Sequence, residues 1–338
     1  MSPPASLLRF NLASPDTGPG ERARLAATMR AMVAAADAAG VAEVTVSEHH
    51  VTRNRSLSSP IVAAAIALAS SRRVPVSISA LLLPLYDPVR VALDLAALEE
   101  AFPGRLRVVA ALGYRPEEYA LHGRDFAARG ALLDAALATV LATWRAAPTD
   151  DVAPVVPASA PARFLAVGGQ SWAAARRAVR HGLPFAPRAH LPELEATYRE
   201  LCGAAGRQPD CWSPAAHFFQ VHVAEDPDAT WPRVARHYLD DAAEYARWQG
   251  DGPRSPVYSA ARGAEELRRS GAVRVLTPAA CLDLAAAHPG STLCLHPLAG
   301  GMPDDEAWSS VQLFLDHVLP GLAPAPPSPL DRPQETTP

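Results

Sequence analysis

The chain has 338 residues, of which 49% are hydrophobic and 20% are charged, as in ordinary globular proteins. The formal net charge of −4 at neutral pH excludes the basic surplus of proteins that bind nucleic acids or anionic membranes. Because no apolar run reaches the roughly 20 residues that cross a bilayer, and no secretion signal opens the chain, we expect a soluble, cytoplasmic protein.

The first half of the chain alternates apolar runs with amphipathic stretches. Runs rich in β-branched residues predict strands, and Ser or Asp followed by Pro predicts the start of a helix. The predicted strands cover residues 7–12, 42–48, 74–83 and 104–112. The predicted helices cover residues 21–40, 59–71, 87–102 and 125–146. Each strand is therefore followed by one helix.

The alternation continues, with weaker signals, after a Pro-rich connection at 146–161. Strands are predicted at 163–169, 183–187, 216–225 and 291–298. Helices are predicted at 171–181, 191–206, 227–248, 259–270, 277–288 and 304–319. Residues 323–338 form a Pro-rich polar tail that we expect to be disordered.

About eight strand–helix units predict an α/β protein with parallel strands joined by right-handed crossovers. Over residues 1–322 these units fit a single (β/α)₈ TIM barrel better than an open doubly wound sheet. No G-x-G-x-x-G follows the first strand, which weakens a dinucleotide-binding version of the open sheet. In a barrel, the functional residues lie just after the strands.

The motif Glu48-His49-His50 follows the second predicted strand. Imidazole suits proton transfer near neutral pH, and His and Glu also bind zinc. The motif is therefore compatible with a proton-transfer site or with a metal site. A loop histidine that hydrogen-bonds to the backbone is the third interpretation. No further metal ligands follow at a supporting spacing, and the four cysteines are too scattered for a zinc site: Cys202, Cys211, Cys281 and Cys294.

A second motif, Gly168-Gly169-Gln170-Ser171, ends a strand and opens a helix. Free N–H groups at a helix start bind phosphate, and glycine lets a ligand approach the backbone. A plain strand-to-helix turn, capped by Ser171, is the alternative. Arg129, on the helix after the fourth strand, is either a phosphate ligand or a surface charge. We expect Glu117, Glu118 and Tyr119 to organise the preceding loop.

Four segments occur in an order that resembles the bacterial luciferase-like flavin monooxygenase family, particularly its aldehyde-oxidising luciferase subunit. They are "SEHHVTRNRSLSSPIVAAAIALAS", "ISALLLPLYDPVRVALDLAALEE", "GRLRVVAALGYRPEEYALHGRDFAARGALLD" and "VGGQSWAAARRAVRHGLP". The resemblance covers roughly residues 5–190 and returns at "GGMPDDEAWSSVQLFLDHVLPGL". It independently implies the TIM barrel, with a variable, lid-like region at about 224–290.

The resemblance also implies roles for particular residues. His49 matches the histidine that acts in the flavin hydroperoxide chemistry, and His50 lies beside it. Ser79–Ala80 falls where the family has a non-prolyl cis peptide beneath the flavin ring. The remaining residues implied to bind the cofactor are Glu48, Ala111, Tyr114, Arg129, Gly168, Gly169, Gln170 and Ser171.

The function implied is a two-component monooxygenase. Reduced FMN from a separate reductase would react with O₂, and the resulting C4a-hydroperoxide would oxygenate a small organic substrate. We expect a homodimer, from the resemblance and from the Ala-rich helices at 59–71 and 88–101. At three positions the chain departs from the family: Leu112, Gln170 and Ala174 stand where the family has arginine, a carboxylate and a hydroxyl. We therefore expect fewer contacts with the phosphate and a weaker affinity for FMN.

Two alternatives stay open. One is a hydride-transferring relative that uses a deazaflavin coenzyme, with Arg53, Arg55 and Arg115 lining a channel for its anionic tail. The other is a non-catalytic flavin-binding subunit, which the presence of His49 argues against.

Overall fold

The computed structural model describes residues 5–16, 18–147, 154–248 and 258–322. Nine parallel strands form one sheet in the order β6-β5-β4-β3-β2-β1-β9-β7-β8. The strands are β1 Ala5–Phe10, β2 Glu43–Val46, β3 Val76–Leu81, β4 Leu106–Ala110, β5 Leu165–Gly168, β6 Phe185–Ala186, β7 Phe218–Val223, β8 Arg274–Leu276 and β9 Thr292–Leu295. With helices between the strands, this is the predicted (β/α)₈ TIM barrel with one additional short strand. The tail predicted at 323–338 lies outside the described residues.

The helices follow the strands in the predicted alternation. They are α1 Glu21–Ala39, α2 Pro60–Ala69, α3 Pro88–Ala101, α4 Pro116–Leu121, α5 Arg129–Arg145, α6 Pro161–Phe164, α7 Trp172–His181, α8 Pro192–Ala204, α9 Pro227–Trp248, α10 Ala264–Ser270, α11 Pro278–Ala287 and α12 Asp304–Leu313. Proline opens many of them, since it needs no N–H partner in the first turn. Among the described residues, no helix is long and apolar enough to cross a membrane.

Strand β8 was not predicted, and it changes the order of the sheet. Its three residues pair in parallel with β7, whose other edge pairs with β9. The chain therefore leaves β7, returns to pair on one side of it, and only then forms β9 on the other side. A three-residue strand between two helices is too short to show a two-residue periodicity in the sequence.

The barrel strands present one apolar and one polar face. Leu8, Val44 and Val76 lie in register across β1, β2 and β3, and all three are fully buried. The adjacent row, Arg9, Thr45 and Ser77, is buried as well but polar. Because side chains alternate along a strand, the apolar row packs beneath the helices and the polar row points into the barrel.

Helix α9, in the region predicted to be variable, packs closely against the segment after β9. His237 Nδ1 on α9 lies 2.9 Å from the carbonyl oxygen of Gly300. Gly300 has a φ of 53°, and a Cβ there would lie 2.2 Å from the carbonyl oxygen of His237. Only glycine fits this contact, which brings the second half of α9 to the carboxyl ends of β1, β2 and β9.

Candidate functional site

Glu48 is a buried carboxylate at the end of β2 whose two oxygens are both engaged. Oε1 accepts a hydrogen bond from the Tyr86 hydroxyl at 2.6 Å and lies 2.6 Å from His50 Nε2. Oε2 accepts from the Leu82 N–H at 2.7 Å. Burial and the Glu48 carboxylate raise the pKa of Tyr86, so its hydroxyl keeps the proton that it donates. Glu48 thus joins the ends of β2 and β3 and orients the His50 ring.

His49 lies between a carboxylate, a phenol and an indole. Its Nδ1 is 3.7 Å from Glu118 Oε1, and its Nε2 is 3.2 Å from the Tyr245 hydroxyl. Its ring centre lies 4.5 Å from that of Trp248 and 6.1 Å from that of Tyr114. Only 8% of His49 is exposed, so its ring contacts these groups rather than bulk water.

Glu118, on α4, both organises its loop, as expected, and supplies the charge beside His49. Its Oε1 accepts hydrogen bonds from the His50 N–H at 2.9 Å and from Arg115 Nη1 at 3.1 Å. Burial raises the pKa of Glu118, but the His49 ring, the His50 N–H and Arg115 together lower it. The carboxylate is therefore ionised at neutral pH and places a negative charge beside His49 Nδ1.

Arg115 fastens the His49–His50 loop to α9. Its guanidinium donates to the carbonyl oxygens of His50 and Val51 and lies 4.8 Å from the ring centre of Trp248. Trp248 is consequently packed between the His49 imidazole and the Arg115 guanidinium. This cation–π contact closes one side of the site.

Helix α9 supplies residues to the site that were not predicted from the sequence. Asp241, Tyr245 and Trp248 are spaced i, i+4, i+7, so they share one helix face, and the structure directs this face toward the barrel. The spacing is visible in the sequence. However, mixed charged, hydroxyl and aromatic residues on one face do not distinguish a functional face from ordinary amphipathic packing.

The Ser79–Ala80 peptide bond is cis, where the resemblance implied it. Register between β3 and β4 shifts here, from Ser79 opposite Val109 to Leu81 opposite Ala110. Ser79 is exposed, although Ile78 and Leu81 beside the bond are buried. Ala111, just beyond β4, donates its N–H to the carbonyl oxygen of Leu81 at 2.9 Å. Ser79, Ala80 and Ala111 therefore share the carboxyl edge of the barrel with His49.

Two glycines at the end of β5 leave no room for a side chain. A Cβ on Gly168 would lie 2.6 Å from Val109 Cγ1 and 3.4 Å from Ala111 Cβ. A Cβ on Gly169, whose φ is +153°, would lie 2.6 Å from Ala174 Cβ. Glycine is therefore required at both positions by close packing against Val109 and Ala174, and Gly168 lies beside Ala111; contacts of these residues with a cofactor stay a prediction.

Ser171 and Gln170 form the entrance to α7. Ser171 caps the helix, with Oγ accepting from the Ala174 N–H at 3.3 Å, and is exposed. Gln170 Oε1 accepts a hydrogen bond from Arg188 Nη2 at 3.1 Å. Arg188 follows β6 and was not singled out from the sequence, because nothing in its local pattern shows that β6 lies beside β5. Through Gln170, Arg188 places a cation close to the residues that precede α7.

The chain matches the luciferase-like monooxygenase family over residues 8–277. It belongs to this family. Among solved structures, monooxygenase RslO1 from Streptomyces bottropensis is 22% identical, with a TM-score of 0.66 over 93% of this chain and 98% of that one.

Two further solved structures share the luciferase-like fold. The oxygenating constituent of 3,6-diketocamphane monooxygenase from Pseudomonas putida, in complex with FMN, is 16% identical, with a TM-score of 0.66 over 95% of this chain and 98% of that one. An F420-dependent secondary alcohol dehydrogenase, in complex with an F420-acetone adduct, is 14% identical, with a TM-score of 0.62 over 95% and 99%.

The arginine that the resemblance assigned to the phosphate has another partner in this luciferase-like protein. Arg129 Nη1 donates to the Phe126 carbonyl oxygen at 2.9 Å, and the guanidinium lies 4.1 Å from the Phe126 ring centre. The carbonyl oxygen of Leu112, which replaces the family's other arginine, accepts from the Tyr119 hydroxyl. A contact between Arg129 and a phosphate stays a prediction.

Within the described ranges, no group of three or more His, Cys, Asp or Glu side chains is arranged to hold a metal ion. At the Glu48-His49-His50 motif, His50 Nε2 faces Glu48 and His49 Nε2 faces Tyr245. The geometry of this motif is that of hydrogen-bonded imidazoles.

Proposed function

We propose that this protein is a two-component, flavin-dependent monooxygenase, which uses reduced FMN and O₂ to oxygenate a small organic substrate. One observation carries the proposal. The His49–Glu118 pair and the start of α7, capped by Ser171, lie at a single barrel edge. Family membership and the fold shared with an FMN-bound monooxygenase support the same conclusion.

The residues present fit FMN. Gly168 and Gly169 let the end of β5 pack closely against Val109 and Ala174, and Ser171 then opens a ten-residue helix whose first N–H groups would hold the phosphate. Arg188, which donates to Gln170, would offset the absence of arginine at Leu112. Bound reduced FMN would supply the electrons and the reactivity with O₂.

The proton chemistry would belong to His49. A protonated His49 is stabilised by the ionised Glu118, and a neutral one can accept a proton, so the ring can serve either direction of transfer. The rings of Tyr114, Tyr245 and Trp248 around it would exclude water from the reacting groups.

The partners proposed are a separate flavin reductase and a second copy of the chain. Reduced FMN must be delivered, since no part of the sequence predicts a nicotinamide-binding fold. The Ala-rich helices α2 and α3 expose Val62, Val89 and Leu93 to 59%, 45% and 38%. These apolar side chains favour a dimer formed through α2 and α3.

The deazaflavin alternative is less well supported by the arginines proposed for it. Arg115 is buried and bonded to Glu118 and to the carbonyl oxygens of His50 and Val51, so it is held inside the protein. Arg53 and Arg55 are exposed and could meet an anionic tail. Because an F420-dependent dehydrogenase has the same fold, the experiment below also tests binding of a deazaflavin.

The deciding experiment is an anaerobic titration of the purified chain, once with reduced FMN and once with a reduced deazaflavin, followed by an air pulse. The proposal requires tight binding of reduced FMN and, after the pulse, a slowly decaying absorbance distinct from that of oxidised FMN. Tight binding of the deazaflavin with no reaction with O₂ would establish the alternative. FMN binding without any oxygen-dependent species would identify a non-catalytic subunit.

A variant of His49 tests its role separately. General acid–base groups contribute about 10²- to 10⁴-fold to rates, so His49→Gln should lower turnover by about 100-fold or more. Its affinity for reduced FMN should change little. The matched control is His190→Gln, because His190 is 42% exposed and faces Glu195 on α8. Equal turnover in the two variants would refute the role.

A further inference from the structure

Five polar side chains lie next to His49 inside the barrel mouth and join three elements. The cluster consists of Arg9 on β1, Asn11 after it, Asp241 and Tyr245 on α9, and His296 after β9. Each is at most 8% exposed. Buried polar groups need partners, so the direction of each hydrogen bond can be worked out from the one group that can only donate.

That group is the Arg9 guanidinium, which has no acceptor atom. Its Nη1 lies 3.2 Å from His296 Nδ1, which must therefore accept. His296 then carries its proton on Nε2, and Nε2 lies 3.0 Å from Asn11 Oδ1, an acceptor. Burial and Arg9 hold the pKa of His296 well below its usual range, in agreement with a neutral ring.

The second arm of Arg9 leads to His49. Nη2 donates to the Tyr245 hydroxyl oxygen, so that oxygen acts as an acceptor toward Arg9. Burial raises the pKa of Tyr245, which keeps its proton. His49 Nε2, at 3.2 Å, is placed to receive this proton; Ser47 and Asn11 also lie beside the hydroxyl. The ring proton of neutral His49 must then be on Nδ1, which faces the Glu118 carboxylate at 3.7 Å.

We propose that Tyr245, oriented by Arg9, is a positioning residue that holds neutral His49 as the Nδ1–H tautomer, with its lone pair on Nε2. This gives α9, the helix in the variable region, a defined task at the proton-handling group. The catalytic meaning of the tautomer rests on the proposed function: His49 starts as a base, and Glu118 stabilises the proton that it gains. The tautomer itself does not depend on any cofactor.

The test reads the tautomer directly. The full-length protein is labelled with ¹⁵N-histidine and studied without flavin, at about pH 8.5, two units above the ordinary imidazole pKa. Two-bond ¹H–¹⁵N correlation spectra distinguish protonated from unprotonated ring nitrogens, and the His49 signals are those lost in His49→Gln. We expect a protonated Nδ1 in the wild type. In Tyr245→Phe, which lacks the hydroxyl donor, the signals should shift toward the Nε2–H tautomer.

The matched control is Tyr238→Phe. Tyr238 is also buried on α9, and its hydroxyl lies 3.1 Å from His222 Nδ1. This variant should leave the His49 signals in place and move those of His222, which shows that loss of a buried hydroxyl on α9 is not itself the cause. A wild-type His49 protonated on Nε2, or on both nitrogens, would overturn the proposal. So would Tyr245→Phe spectra in which Nδ1 stays fully protonated.

Turnover assays separate this proposal from the proposed function. If the chain oxygenates a substrate, Tyr245→Phe should lower kcat with little change in FMN affinity, and Tyr238→Phe should not. If no flavin binds, the proposed function fails while the tautomer result stands.

Discussion

Replacing Gly168 by alanine puts a methyl group where two strands meet below the proposed cofactor. The new Cβ would lie 2.6 Å from Val109 Cγ1, whereas carbon atoms in contact are about 3.5–4.0 Å apart. Val109 must therefore retreat by about 1 Å in a strand paired on both sides. Overpacking of this kind costs about 1–3 kcal/mol, and we expect the free energy of unfolding to fall by about 2 kcal/mol.

Urea denaturation followed by circular dichroism measures this change. Gly203→Ala is the control, because Gly203 lies in α8 and a Cβ there meets no atom within 4 Å. This control should gain about 0.5–1 kcal/mol from helix propensity. Adding Val109→Ala to Gly168→Ala should make the two losses non-additive by about 1 kcal/mol or more, since the clash is relieved. A Gly168→Ala protein within about 0.5 kcal/mol of the wild type would refute the packing argument.

Three further predictions concern stability and assembly. The Asp37 carboxylate accepts hydrogen bonds from the N–H groups of Arg72, Arg73 and Val74. Asp37→Ala should therefore lower the free energy of unfolding, measured with urea, by about 2–3 kcal/mol. The control Asp94→Ala, at a more exposed carboxylate, should lower it by less than about 0.5 kcal/mol. Burial lowers the pKa of His222 to about 4. The unfolded chain therefore binds this proton first as the pH falls, and about 3 kcal/mol of stability is lost between about pH 6.5 and 4. His222→Gln should flatten that part of the pH profile of urea unfolding, and an unchanged profile would contradict the assignment. Light scattering should give a dimer for the wild type and a monomer for Val62→Arg combined with Leu93→Arg. As a control, Val156→Arg, at an exposed residue outside α2 and α3, should leave the dimer intact. A monomeric wild-type protein would refute the proposed dimer.

The parts of the fold that were predictable from the sequence are those with local signals. The prolines that open α2 and α3, and Gly40 after α1, mark helix ends within a few residues. The helix predicted from residue 125 begins at Arg129, because Arg124–Ala128 complete the turns after the short α4. Strand β8 gave no signal because pairing with β7, rather than periodicity, forms it.

The candidate site was predictable only where one segment carries its own chemistry. His49 and the Gly168–Ser171 segment can be recognised from the sequence, because their residue types are unusual next to a predicted strand end. Glu118 and Arg188 do not, since their relevance depends on which strands and helices are neighbours in space. Nor did the sequence show that Tyr245, far along the chain, would meet His49.

The single face of α9 that carries Asp241, Tyr245 and Trp248 has a consequence for protein engineering. A helix exchanged between relatives to alter substrate choice would have to retain these three positions, or the recipient barrel would lose the partners of Arg9, His49 and Arg115 together. Libraries aimed at new specificity should therefore leave the three positions and the buried core residues of α9 fixed, and vary the exposed positions of the helix.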